Sequence, residues 1–189
     1  MQNDDDKALV AQAQTDPQAF AALYDRYVDR IYAYAYRQVQ DATSAQDVTA
    51  VTFEKALRHI RQNGWQGEHF VAWLYRIARN EAISRLRRQK WLSPRDWFGS
   101  TELRSTETAV QTRQTRQTIH CALARLRPKD RDIIVLRYLE ELSSEDVAEI
   151  LACSPDNVYV RLHRAMARLR AELAQEMPVP AREVNPHVP

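Results

Sequence analysis

SSEDVAEILACSPDNVYVRLHRAMARLR, running from Ser143 to Arg170, is the stretch that decides how the chain reads. Ser143 is a good N-cap for a helix carrying Val147, Ala148, Ile150 and Leu151. Ala152, Cys153 and Ser154 make a short connection. Ser154, Pro155 and Asp156 then each favour a helix start, because a hydroxyl cap, a preset φ and an acid near the positive end of the dipole all act there. The second helix is predicted to run to about Leu173. A helix of about eight residues, a three-residue turn and a longer helix is the spacing of a helix-turn-helix. At about 100° per residue, Val158, Leu162, Ala165, Met166 and Leu169 fall on one inward arc. Asn157, Arg161, Arg164 and Arg168 fall on another, and Tyr159, Val160 and His163 occupy the remaining exposed side. A helix with one buried stripe and a basic outer face fits a major groove about 12 Å wide. An ordinary αα-hairpin with a charged face would show the stripe without needing the caps or four arginines free of acids.

Charge is distributed unevenly around this unit. The net charge of +2 says little. Residues 157–170 hold Arg161, Arg164, Arg168 and Arg170 and no acid, whereas residues 140–156 hold Glu140, Glu141, Glu145, Asp146, Glu149 and Asp156 and no basic group. The acidic stretch would repel DNA, so it is expected to point sideways or toward a protein. A second basic run lies upstream: Arg76, Arg79, Arg85, Arg87, Arg88 and Lys90 against Glu81. Two basic patches beside an acidic stretch point to an anionic polymer as one partner and leave room for a protein as another.

Further upstream the periodicity stays helical. Phe20, Leu23, Tyr24, Tyr27, Ile31 and Tyr34 form a stripe within residues 18–39, and Val48, Thr52, Phe53, Ala56, Leu57 and Ile60 form another. Residues 63–67, with two of the three glycines, break the pattern as a loop containing Trp65. A third helix follows from Phe70 to about Lys90, with Phe70, Trp73, Leu74, Ile77, Ala78 and Leu86 inward and arginines outward. Three helices make a first bundle. Basic groups tracking a backbone near exposed rings suit single-stranded nucleic acid, where stacking contributes about 1–3 kcal/mol per base. Trp73 and Phe70 read as core; Trp65 reads equally as core or as a stacking platform. Residues 91–116 lose the period and read as a linker with a flexible polar part. Trp91, Leu92, Trp97 and Phe98 within it either pack back on the first bundle or touch a partner. Helical signals return at Ile119, Leu123 and Leu126, with Pro128 early in a further helix. The tail from Met177, with Pro178, Pro180, Pro186 and Pro189, is expected to be disordered.

The resulting expectation is an all-α chain of two small helical domains joined by a flexible linker: residues 1–92, a linker over 93–116, residues 117–175, and a tail over 176–189. Composition agrees. The 189 residues include 3 Gly against 8 Pro, too few glycines for the turns of a β-sandwich or a dinucleotide-binding sheet. No apolar run of about 18 residues and no secretory signal is visible, so a cytoplasmic protein without direct membrane insertion is expected. Cys121 and Cys153 belong to no metal or disulfide pattern. His59, His69, His120, His163 and His187 show no ligand spacing, and neither a phosphate loop nor a nucleophile motif occurs. Neither a cofactor, a metal nor a catalytic residue is expected.

FVAWLYRIARN (Phe70–Asn80), followed by Ala82-Ile83 and Leu86-Arg87-Arg88, resembles the promoter-melting and −10-reading segment of extracytoplasmic-function sigma factors of the sigma-70 family. Ala45-Gln46-Asp47, Thr49 and Phe53-Glu54-Lys55-Ala56 resemble their core-polymerase-binding helix. LRPKDRDIIVLRY (Leu126–Tyr138), Leu142-Ser143, Val158 and Arg161-Leu162-His163-Arg164-Ala165 resemble their −35-reading domain. The resemblance covers about residues 18–90 and 117–173. It implies a transcription initiation factor that binds core RNA polymerase, directs it to −35 and −10 elements and opens the −10 DNA. The clamp of the largest subunit would be held by Gln46, Asp47, Thr49 and Ala50. Single-stranded −10 DNA would be read and melted by Trp65, Arg76, Arg79, Asn80, Arg87 and Arg88. The second domain would hold the β-subunit flap and read duplex −35 DNA with Asn157, Tyr159, Val160, Arg161, His163, Arg164 and Arg168. The linker would thread near the RNA exit path. An anti-sigma factor is a further partner that the family leaves room for. The chain departs from the family pattern at Ala50-Val51 (usually Gln-Glu), Ser84 (usually Asp), Glu141 (usually Gly), and Tyr159 and Val160 (usually Lys or Arg, then Ser). A left-handed Glu141 would cost about 1 kcal/mol. Two other readings compete: a stand-alone helix-turn-helix regulator whose first bundle dimerises or senses a ligand, and a recombinase-like enzyme with a DNA-binding tail. The second of these lacks a catalytic inventory. The first has no use for the 45–60 and 70–90 motifs at their spacing.

Overall fold

Asp16 and Asp41 start the two long helices on which the first half of the molecule is built. Each carboxylate accepts a backbone N–H of the first turn, from Gln18 at 2.8 Å and Ser44 at 2.7 Å. A computed structural model of the chain describes residues 2–65, 67, 69–92 and 110–176. Within them, α1 spans Gln2–Gln12, α2 Pro17–Val39, α3 Ala42–Asn63 and α4 Phe70–Leu92. Gln40, in the left-handed region at φ 56°, ends α2 by donating its N–H to Tyr36 O. Gly64, at φ 66°, closes α3 in the same way onto Ile60 O. The second half comprises α5 (Val110–Arg125), α6 (Pro128–Ile134, continuing into a π-helical turn over Val135–Leu139), α7 (Ser144–Leu151) and α8 (Pro155–Glu176).

The expected stripes are buried. Leu23, Tyr27, Ile31 and Tyr34 of α2 meet Phe53, Ala56 and Ile60 of α3 and Phe70, Leu74 and Ala78 of α4 in one core. Tyr24 departs from its stripe: it is substantially exposed, with its ring edge-packed on Phe53 at 4.7 Å. In the second half, Ile133, Ile134 and Leu136 pack with Val147 and Ile150 of α7 and Val158, Ala165 and Leu169 of α8. The helix-turn-helix forms as its caps dictate. Ser143 Oγ accepts the Asp146 N–H at 3.0 Å while Asp146 reaches back to the Ser143 N–H, a complete capping box. Ser154 Oγ accepts the Asn157 N–H at 3.3 Å.

Three features differ from the sequence reading. Helix α1 was not anticipated; it is pinned through Asp6, wholly buried, which accepts from Arg26 at 2.5 Å and from the Tyr27 hydroxyl. Residues 110–116, placed in the linker by composition, are already helical as the start of α5. Most consequentially, the two bundles are in direct contact: α4 packs on α7, and α2 touches α6 and the π-helical turn. Glu141 does adopt the left-handed conformation, at φ 56°. The expectations for Trp97, Phe98, the polar linker and the proline-rich tail lie outside the described residues, as do the side chains of Trp91 and Leu92.

Candidate nucleic-acid interface

The outer face of α8 is built by the burial of its opposite side. Val158, Ala165 and Leu169 anchor the helix, and Leu162 and Met166 pack against the same core. That leaves Asn157, Tyr159, Val160, His163 and Arg164 exposed, Tyr159 at 74%. Arg161 is half-buried, with Nη1 3.7 Å from the Cys153 thiol in the turn. Arg168 is held by both oxygens of Asp130 at 2.7 Å, so in this arrangement α6 already supplies it with an anion. Arg164 has no such partner among the described residues. The helix thus presents polar, apolar and cationic groups side by side, the mixture that reads base edges and phosphates.

The basic face of α4 is different. Arg79 Nε donates to Asp132 Oδ2 of α6 at 2.6 Å, Arg76 lies 3.9 Å from Glu149 of α7, and His69 lies 3.2 Å from Asp146. Asn80, Arg87 and Arg88 are exposed. Asn80 and Arg87 line a cleft of ≈ 520 Å³ between α4 and the start of α6, with Lys129 opposite. Trp65 is half-buried: its ring lies 4.6 Å from Trp73 and 6.0 Å from Phe70, so it belongs to an aromatic cluster rather than standing free. Gly67 closes on that ring so tightly that a Cβ there would lie 2.4 Å from it.

On α3, Gln46, Asp47 and Ala50 are exposed together, and Asp47 is paired with Arg85 at 2.5 Å. Thr49, grouped with them on sequence, is buried instead. Its hydroxyl donates to Ala45 O at 2.8 Å, which turns the side chain into the helix and away from any partner.

The acidic stretch that sequence placed sideways or against a protein meets the first bundle of its own chain. Glu140 is buried among first-bundle groups: Tyr75 donates to Oε2 at 2.5 Å, Arg37 to Oε1 at 2.9 Å, and Arg30 to its backbone oxygen at 2.8 Å. Burial pushes its carboxyl above the ordinary range, while Tyr75, Arg37 and Arg30 pull it partly back. Asp132 is likewise enclosed by Tyr34 at 2.8 Å, Arg79 and Gln38. Desolvation and the carboxylate beside it raise the Tyr34 hydroxyl well above normal, keeping it a donor. Arg131, 1% exposed, crosses the other way to Gln38 O at 3.2 Å. Asp132 and Arg131 were not singled out in the sequence, and Glu140 was read there as one acid of the stretch expected to point sideways or toward a protein. Their one visible signal was charge inside an apolar period, IIVLRY being bracketed by acids.

Comparison with known proteins bears on both bundles. Residues 23–92 match the Sigma-70 region 2 family model and residues 116–169 match Sigma-70, region 4. The fold is thus that of the sigma-70 class of promoter-recognising factors. SigW, an ECF RNA polymerase sigma factor of Bacillus subtilis, is 32% identical over 174 residues, covering 84% of this chain and 90% of SigW. The ECF sigma factor BldN of Streptomyces coelicolor is 31% identical over 166 residues, covering 85% of this chain but 63% of BldN. Among solved structures, CnrH bound to the cytosolic domain of CnrY superposes with a TM-score of 0.71 at 25% identity, over 92% of this chain and 99% of CnrH. The sigma factor RpoE of Bartonella quintana, solved with the anti-sigma factor NepR, shares the fold at a TM-score of 0.69 and 24% identity, over 84% of this chain and 98% of that one. The chain belongs to the extracytoplasmic-function sigma factors, a family of non-catalytic transcription initiation factors. No helix among the described residues is long and apolar enough to cross a membrane.

Proposed function

We propose that this chain binds core RNA polymerase in the cytoplasm, places it on promoters by reading −35 duplex with α8, and opens the −10 element with α4 and the Trp65 loop. The observation that carries the reading is the α8 face: a firmly buried stripe on one side and exposed Asn157, Tyr159, Val160, His163 and Arg164 on the other. Exposed Tyr159 and Val160 suit apolar contact with thymine methyl groups, and Arg164 suits a guanine edge or phosphate. The domains are residues 1–92 and 117–175, with α5 extending the second toward the linker. Gln46, Asp47 and Ala50 form the polymerase-facing patch of α3, opposed to the clamp of the largest subunit, and the second domain takes the β flap. An anti-sigma factor, named with one of the structural relatives, is the expected inhibitory partner.

In the −10 element the half-buried Trp65 serves as the wall of a pocket, its ring held by Trp73 and Phe70 so that an unstacked base can lie against the loop. Each reading domain is weak alone, and polymerase supplies their spacing, so affinity comes from simultaneous engagement.

Arg161→Ala with Arg164→Ala tests the assignment. Each lost base or phosphate contact is worth about 1–3 kcal/mol, so with two removed run-off transcription with core enzyme should fall about thirtyfold or more while the fold stays intact. Unchanged promoter-dependent transcription refutes the role given to α8.

A further inference from the structure

Helix α1 is tied to the first bundle by a buried charge. Its 11 residues make a helix that is marginal in water by itself, and Leu9 and Val10 are its contribution to the apolar core. The remaining tie is Asp6. Its side chain is wholly buried and accepts from Arg26 at 2.5 Å and from the Tyr27 hydroxyl. Desolvation offsets much of the attraction within a buried pair, so Asp6 adds less stability than an apolar side chain would. It does admit α1 in one register, the one that gives its carboxylate both donors. Burial, with Asp6 alongside, pushes the Tyr27 hydroxyl above its ordinary range and so keeps it a donor.

The same tie reaches Trp65 by two routes. The Tyr27 ring lies 5.9 Å from Phe70, and Phe70 lies 6.0 Å from Trp65. Past the end of α1, Ala13 is buried in that core and Gln14 lies against Gly64, so that a Cβ on the glycine would be 3.4 Å from the Gln14 amide nitrogen. Gly64 is the left-handed residue directly before Trp65. Between these supports the Trp65 indole N–H is buried and has no acceptor among the described residues. A buried donor without a partner is destabilising, so the ring keeps this orientation because its neighbours enforce it. An unstacked base carries carbonyl and ring-nitrogen acceptors, the groups this donor lacks.

We propose that Asp6 is a positioning residue for promoter opening: by fixing α1 and the Tyr27 hydroxyl, it holds Trp65 with its indole N–H unpaired until an unstacked −10 base supplies the acceptor. This rests on the reading of Trp65 as a −10 group and adds what sets that ring in place. Asp6 itself is wholly buried and touches neither DNA nor polymerase. Its influence therefore falls on the opening step and not on assembly with core enzyme.

The test uses the full-length chain at saturating concentration with core polymerase, on a duplex promoter and on the same promoter left unpaired across the −10 element. Opening is followed as permanganate reactivity of −10 thymines against time. Asp6→Asn should slow opening of the duplex about tenfold, the scale of one lost base-stacking contact. Transcription from the unpaired template, and the concentration of the chain needed to saturate core, should stay within about twofold. Trp65→Ala should slow opening similarly, and Asp6→Asn added to it should slow opening no further, because both act through one ring. A chain that is merely less stable would lose activity equally on both templates, and its loss would add in full to that of Trp65→Ala. Either result overturns the proposal, as does unchanged opening by a folded Asp6→Asn chain. Should Asp6→Asn unfold the first bundle, seen as lost helicity, Tyr27→Phe removes the hydroxyl alone and carries the same comparison with the same outcomes. Failure of the underlying reading looks different: Trp65→Ala alone then opens the duplex at the wild-type rate, and the proposal falls with it.

Discussion

Helices α4 and α8 both carry a row of arginines opposite a buried stripe, yet their surroundings are opposite. On α8, Arg164, His163 and Tyr159 are exposed, and among the described residues an acid reaches the row at Arg168, through Asp130. On α4, Arg76 and Arg79 are met by Glu149 and Asp132 from the other bundle. The same residue type at the same helical spacing is therefore ready in one case and occupied in the other. A basic helix face does not specify whether it is free; that depends on what the remainder of the chain lays over it. Among the described residues, the arginine face of α8 is largely uncovered and that of α4 is partly covered by acids of the other bundle.

The sharpest way to break the comparison is to damage α8 from within. Ala165 is wholly buried one position from exposed Arg164. Ala165→Asp buries an unpaired carboxylate, which costs about 3–5 kcal/mol, and should unfold the second bundle in urea at concentrations the wild type withstands. Loss of α8 should also loosen the contact over α4, since α7, which carries Glu149 and Asp146, packs on α8. If Ala165→Asp leaves the urea midpoint unchanged, the inward face has been misplaced, and the outward one with it.

A smaller effect separates the two surfaces by pH. Glu140 has a folded-state pKa above its ordinary 4.5, because burial outweighs Tyr75, Arg37 and Arg30. The folded protein therefore binds this proton more readily than the unfolded chain does. As pH falls from neutral through the raised value toward 4.5, Glu140 contributes added stability, complete once pH is below 4.5. Asp41, the α3 cap, behaves oppositely: its pKa lies below 3.8 because the charged form accepts bonds from Ser44, so its contribution is present at neutral pH and is lost as pH falls past 3.8. The windows do not overlap. Urea titrations between pH 7 and 4.5 should show a stability gain in wild type that Glu140→Gln flattens, and an identical slope in both proteins contradicts the burial of this carboxyl.

How much of this was legible follows from the kind of force involved. The α8 face was readable because apolar burial repeats with helical period and because Ser143, Ser154 and Pro155 act locally, within a turn of where they stand. The same holds for the α2 stripe from Leu23 to Tyr34. Helix α1 was not readable: its turns carry polar residues on most sides, and besides Leu9 and Val10 it is held by a carboxylate, Asp6, whose partners lie about 20 residues away. Thr49 misled because a small polar residue can satisfy itself inside a helix. Glu140 was legible as one acid of a stretch expected to point sideways or toward a protein, but nothing near it or Asp132 announces the tyrosines and arginines contributed by α2 and α4. Long-range polar complementarity leaves no periodic trace.

The smallest effect concerns Glu141, at the hinge between the π-helical turn and α7. Its φ of 56° is a conformation in which a side chain crowds the following carbonyl, a cost of about 1 kcal/mol that glycine avoids. The strain has a local reason: the left-handed residue lets the Leu142 N–H donate back to Leu136 O at 3.1 Å, and it delivers Ser143 to its capping position. It also follows directly on Glu140, so the turn that seats the buried carboxylate is the turn that is strained. Glu141→Gly should relieve the crowding and raise the unfolding free energy by up to about 1 kcal/mol, partly offset by the greater freedom of glycine in the unfolded chain. The side chain at 141 is exposed, so the substitution removes no buried group. A loss of stability in this variant, measured by urea midpoint, would mean that Glu141 makes a favourable interaction outweighing its backbone cost. It would then be the Glu141 side chain, rather than the backbone turn alone, that sets how Glu140 is presented to Tyr75.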